Sequence, residues 1–257
     1  MSIEQKGAEL RRLHDDPALL QLVNVWDVAS ARAIADLPQT RALATASHSI
    51  AAMYGFEDGE HIPRDLMIEA VARVVAATGL PVTADLEAGY GDAGETTRRA
   101  IGVGVVGMNL EDQLKPFDES VAAVATVVGA AEAEGVPFAL NARTDAFLRG
   151  TARSVDENVT DAIERGKAFL DAGATCVFVP GRLDAETIGR LVSGIGERKL
   201  SVIGHPGSVP PAELERLGVA RVSYGPWSQR VALTALADAA ESLYAGGTLA
   251  ASTRILN

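Results

Sequence analysis

Cysteine is almost missing from this 257-residue chain, which carries Cys176 alone. An internal disulfide is therefore excluded, and the usage suits a reducing cytoplasm. Lysine occurs only at positions 6, 115, 167 and 199. None of these stands at the carboxyl end of an apolar run, which disfavours Schiff-base chemistry. Aromatic residues make up 5% against 47% hydrophobic overall, so the core must be built from Ala, Val, Leu and Ile. No basic cluster exists and the formal net charge is -11. Phosphate neutralisation needs grouped Lys and Arg, so nucleic acid is an unsuitable partner, and an acidic surface is equally unsuited to a membrane surface. Uncharged runs fall short of the ~18 residues of a membrane span, and Met1 to Asp16 is charged and lacks the apolar centre of a secretory signal. A soluble cytoplasmic protein is expected.

What is present centres on Pro81 to Gly91, PVTADLEAGYG. A short apolar run ends in Asp85 and Glu87, spaced i, i+2, then glycine, tyrosine and glycine. Side chains two apart on a strand point the same way, so both carboxylates can enter one cavity. Seven other apolar runs lie around it: 22–26, 41–45, 105–110, 137–141, 175–179, 200–204 and 220–224. Helical patterning follows each, as at 64–78, 118–134, 155–172 and 227–244. Apolar runs alternating with helices predict parallel strands covered on the outside. Eight such units predict a single-domain α/β fold over residues 1–257, a (β/α)8 barrel at 22–245 behind an extra N-terminal helix at 1–21.

The polar residues then gather at one end. Ser47, Asp58, Asp85, Glu87, Glu111, Asn141, Arg143 and His205 all stand at or just after the carboxyl end of a run, the face on which such barrels carry their sites. Asp27 and Asp145 read as helix N-caps, the commonest use of an acid after a strand. Cys176 lies inside an apolar run and reads as core. His48 and His205 read either as loop packing or as bases. Several carboxylates without a His or Cys cluster suit Mg2+, with Mn2+ possible, over zinc. Such a cation can chelate an α-oxo acid and stabilise an enolate, Arg143 can pair with a substrate carboxylate, and backbone amides of the Ser47 loop can hold an oxyanion.

The stretches NVWDVASAR, ATASHSIAAMYGFEDGE, PVTADLEAGYG, MNLEDQ, NARTDAFLRG and VFVPG resemble the phosphoenolpyruvate mutase/isocitrate lyase superfamily over residues 22–245. That resemblance implies a barrel in which Asp85 holds Mg2+ directly or nearly so, with Asp58, Glu87 and Glu111 helping through waters. It also implies that Ser47 and the following amides of His48 and Ser49, with Asn141, hold a pyruvyl unit whose carboxylate Arg143 binds. Dimers or tetramers that exchange the last helix are common among such relatives, so a homodimer or homotetramer is expected.

One departure from the pattern stands out. The lyase Lys-Lys/Arg-Cys-Gly-His loop after the fourth strand is replaced by EDQLKPFDES, with neither Cys nor His. Lys115 alone remains there for a phosphonyl group. The expected activity is Mg2+-dependent carbon-carbon cleavage of a small 2-oxo or 2-hydroxy di- or tricarboxylic acid through a pyruvate enolate. Catalytic roles fall to Arg143, Glu111, His48 and His205. Three alternatives are carbon-phosphorus chemistry, a non-catalytic 2-oxo acid binder, and phosphate binding at the His205–Ser208 stretch, HPGS.

Overall fold

A computed structural model describes residues 1–256. Among them nine strand segments, all parallel, form one sheet: β1 Leu20–Leu22, β2 Asn24–Val25, β3 Leu43–Thr45, β4 Val82–Asp85, β5 Gly107–Glu111, β6 Ala139–Arg143, β7 Cys176–Phe178, β8 Leu200–Ile203 and β9 Arg221–Ser223. β1 pairs with β9 and β2 with β3, and only Val23 separates the two segments. The ring thus closes through one broken strand, giving the expected eight-fold barrel. Sequence patterning placed the first strand at 22–26, slightly too late.

Among the described residues eleven helices accompany the strands. α1 (Ile3–Asp15) starts at a capping box of Ser2 and Gln5 and covers the amino-terminal end of the barrel with Leu10 and Leu13. It docks so closely that a Cβ on Gly7 would meet the Pro137 carbonyl oxygen at 2.3 Å. α2 (Val28–Ala35) is capped by Asp27, which accepts from the Ser30 amide at 2.7 Å, as expected. α3 (Ser47–Met53) is helix where a loop was expected. α4 (Arg64–Ala76), α5 (Ala93–Gly102) and α6 (Phe117–Ala133) pack over β4 to β6. α7 (Ala146–Arg149), α8 (Val155–Asp171), α9 (Ala185–Ile195) and α10 (Pro211–Arg216) accompany the second half of the barrel. Val177, Val179, Val202 and Val222 face these helices, burying an aliphatic layer as the composition required.

α11 (Trp227–Tyr244) differs from the rest. Only Gln229 is buried along it, while Val231, Leu233 and Leu236 are 69%, 56% and 66% exposed. No helix among the described residues is long and apolar enough to cross a membrane.

Candidate functional site

β4 ends at Asp85, and the chain then leaves the strand sharply. Leu86 is buried, Glu87 turns left-handed at φ 52°, and Tyr90 repeats this at φ 54°. Left-handed backbone costs a non-glycine residue about 1 kcal/mol or more, so this turn is held by its surroundings. Gly89 is required within it, because at φ 92° a Cβ would meet Ala93 Cα at 2.7 Å. Strand alternation was expected to align Asp85 with Glu87. The turn aligns them instead, and Tyr90 fixes the result by donating its hydroxyl to Glu87 Oε1 at 3.2 Å.

Asp85 is gripped from the helix start that follows β3, the neighbouring strand. Ser47, the first residue of α3, gives both its hydroxyl (2.8 Å) and its amide (3.2 Å) to Asp85 Oδ2. The Ser47 amide therefore serves the carboxylate, leaving those of His48 and Ser49 for the oxyanion role once expected of all three. Asp58 accepts from Ser47 Oγ at 3.4 Å and lies 3.5 Å from His48 Nδ1. On the far side, Asn109 of β5 donates to Asp85 Oδ1 at 3.4 Å.

Four carboxylates, Asp58, Asp85, Glu87 and Glu111, thus share the barrel mouth. Burial pushes Glu87 up to about 8, and the charges of Asp85, Asp58 and Glu111 add to the effect. Burial likewise lifts Glu111 to about 7; Arg143 opposes the shift while Asp145 and Asp85 reinforce it. Arg143 pairs with Glu111 Oε2 through NH1 and with Asp145 Oδ1 through Nε, both at 2.7 Å. Those two charges outweigh its burial and keep the guanidinium firmly ionised. Asp145 stands at the N-cap position of α7 as expected, but its side chain makes no capping bond, and its other oxygen takes Arg149 at 3.1 Å. A buried acid between two arginines wins more from them than from a four-residue helix.

Behind this face the short loop after β5 is braced. Asp112 accepts the amides of Leu114 (2.8 Å) and Asp145 (2.9 Å) on Oδ1, and Arg165 of α8 on Oδ2 (3.1 Å). Arg165 also donates to Ser120 Oγ and the Lys115 carbonyl. Gln113 and Leu114 are both left-handed, at φ 50° and 54°. Sequence reasoning missed Arg165, Asn109 and Asp112 in these parts. A polar residue two before Glu111 on one strand was the available signal for Asn109; nothing local marked Arg165.

Three expected residues stand apart. Asn141 is fully buried beside Asn109 in strand register and donates to Asn109 Oδ1 at 2.8 Å. The Ser49 hydroxyl is buried without a partner, while the Ser49 carbonyl accepts from Gln229 of α11. His205 stays within its own turn, bonded to Ser208 Oγ and the Pro206 carbonyl. Cys176 is buried core as expected, its thiol pushed up to about 12 by burial.

Among the described residues no three His, Cys, Asp or Glu side chains form a ready-made metal cage. The donor set nevertheless fits a hard cation: it is all oxygen, Asp85 is presented at fixed rotation, and the repulsion that adds to burial in lifting Glu87 and Glu111 is what a cation would relieve. Mg2+ keeps several waters, so one direct ligand with neighbours acting through water suffices.

The phosphoenolpyruvate phosphomutase family profile matches residues 10–244, the barrel and all of these side chains. The chain belongs to the phosphoenolpyruvate phosphomutase family. Its barrel superposes on a crystal structure from Burkholderia cenocepacia J2315, provisionally called a phosphonomutase, with a TM-score of 0.87 and 38% identity, covering 93% of this chain and 99% of that one. Family relatives include the 2,3-dimethylmalate lyase of Eubacterium barkeri, 28% identical over 249 residues (90% of this chain, 84% of that protein). The oxaloacetate decarboxylase of Paraburkholderia xenovorans is 28% identical over 257 residues (93% and 82%). These relatives are enzymes, lyases and mutases by name, and the superfamily resemblance read from the motifs stands.

Proposed function

We propose that this protein is a Mg2+-dependent carbon-carbon lyase that cleaves a small 2-oxo or 2-hydroxy di- or tricarboxylic acid through a pyruvate enolate. The observation that carries the reading is the convergence of Asp85, Glu87, Glu111 and Arg143 on one mouth, with Ser47 fixing Asp85. A divalent cation bound there supplies positive charge where the enolate develops. Among the described residues Arg143 is engaged through Nε and NH1, which leaves NH2 to meet the substrate carboxylate. Glu111 sits at about 7, so its carboxyl can hold and release a proton near neutral pH. His48, beside Asp58, is the preferred base for a substrate hydroxyl, since His205 has its Nδ1 engaged with the Pro206 carbonyl. Oxaloacetate-type decarboxylation asks least of the short loop, since carbon dioxide leaves without a dedicated acid.

A carbon-phosphorus reaction is the second reading, favoured by the name of the Burkholderia cenocepacia relative. It would need cations over a phosphonyl group, and the braced loop offers Lys115 alone. Proton NMR of the protein with Mg2+ and oxaloacetate, 2,3-dimethylmalate, isocitrate, 2-methylisocitrate or phosphonopyruvate, with and without EDTA, separates these. EDTA-sensitive pyruvate with carbon dioxide or a second carboxylic acid supports the lyase, and phosphate the second reading. Oxalate binding without any turnover would indicate a non-catalytic binder.

The apolar exposed face of α11 supports a homodimer or homotetramer. Beside it runs a groove of about 490 Å3 lined by Trp26, Ile34, Val231 and Leu256. Sedimentation at micromolar concentration tests this; a monomer there refutes it.

A further inference from the structure

Below the mouth, inside the barrel, Arg221 of β9 is 1% exposed, the largest fully buried side chain. No carboxylate pairs with it among the described residues. Its NH2 donates to Asn109 Oδ1 at 3.5 Å, while Nε and NH1 have no partner. An isolated buried guanidinium costs several kcal/mol, and an apolar side chain of similar length would fill the space more cheaply. Packing alone does not account for arginine here.

What arginine does, and an apolar residue cannot, is set a direction. A guanidinium has only donors, whereas an amide has one donor end and one acceptor end. Arg221 therefore admits only the oxygen of Asn109. The same oxygen takes Asn141 Nδ2 at 2.8 Å, so two donors hold it toward the barrel floor. The Asn109 NH2 must then face upward, where it meets Asp85 Oδ1 at 3.4 Å. The strands bring these residues level, Asp85 beside Asn109 and Asn109 beside Asn141 in register. Were the Asn109 amide reversed, its oxygen would confront the carboxylate and its NH2 would confront the donors below.

We propose that Arg221 is a positioning residue, which fixes the polarity of the Asn109 amide and through it the rotation of the Asp85 carboxylate at the cation site. Ser47 holds Oδ2 and Asn109 holds Oδ1, so the carboxylate is clamped from both sides and shows its remaining lone pairs in one orientation. This rests on Asp85 being the cation ligand.

The test is Mn2+ titration of EDTA-stripped protein, followed by the EPR signal of free Mn2+, alongside thermal melting. Wild type is expected to bind Mn2+ and Asp85→Ala is not. Arg221→Met should weaken binding about 10-fold or more, as loss of an outer partner does at metal sites, while its melting temperature holds or rises. Arg221→Lys, also a pure donor, should recover part of the affinity. Asn109→Leu should weaken binding similarly and add little on top of Arg221→Met, because the two act in series. Unchanged Mn2+ affinity in a folded Arg221→Met protein overturns the positioning role alone. Should that variant fail to fold, Asn109→Leu decides in its place, and unchanged affinity there has the same force. Absence of Mn2+ binding by wild type overturns the cation reading, and this proposal with it.

Discussion

Replacing Glu87 with glutamine in metal-stripped protein removes a charge while keeping the shape and the acceptor for Tyr90. An unfolded glutamate titrates near 4.5, while Glu87 in the fold sits at about 8 because it is buried and faces Asp85, Asp58 and Glu111. Between those values the folded protein retains a proton that the unfolded chain has released. Wild-type stability must therefore fall as pH rises from about 4.5 to about 8, at up to ~1.36 kcal/mol per pH unit. The ceiling is about 5 kcal/mol. Water at the mouth, where half-exposed Asp58 stands, screens part of this and leaves about 2–3 kcal/mol. Glutamine never ionises and escapes the loss. Melting in EDTA should thus give nearly equal midpoints for both proteins at pH 5, and a Glu87→Gln midpoint higher by roughly 5–10 °C at pH 8, at ~2–4 °C per kcal/mol. Added Mg2+ at pH 8 should narrow the gap by favouring the ionised wild type. An identical difference at pH 5 and pH 8 would refute the claim that the carboxylates crowd one another.

Asp112→Ala strips the Leu114 and Asp145 amides of their acceptor and leaves buried Arg165 with Asp161 alone, which should cost about 1–3 kcal/mol in urea unfolding. Asp145→Asn uncouples Arg143 from its orienting acid; kcat/KM on the substrate found by NMR should fall at least ~10-fold with little change in Mn2+ binding. Gly89→Ala forces a Cβ to 2.7 Å from Ala93 in left-handed backbone and should lower stability by about 2 kcal/mol or more, read as a lower melting midpoint with Mn2+ affinity weakened alongside it.

The strands were legible because a parallel barrel strand is buried on both sides and must read as an apolar run. Asp85, Glu87, Glu111 and Arg143 were legible because each breaks such a run at its carboxyl end. What escaped was whatever depends on partners distant in sequence. Asp145 looks like a cap until Arg143 and Arg149 are seen around it, and Arg165 looks like an exposed helix residue until α8 lies against the loop after β5. α3 escaped for another reason: Ser47, His48 and Ser49 are weak helix formers and hid a first turn whose leading residue grips Asp85. Asn141 was placed on the right strand, but its buried amide donates to Asn109.

The seam of the barrel separates two jobs that a terminal helix usually combines. Asn24 accepts the amides of Tyr224 and Gly225 on its side chain, and its own carbonyl takes the Ser228 hydroxyl. Ring closure is therefore complete within the first three residues of α11, where Gln229 adds its bond to the Ser49 carbonyl, and no residue of the helix beyond them is buried. Shortening the helix beyond Gln229 removes no residue that holds the carboxylates of the mouth in place.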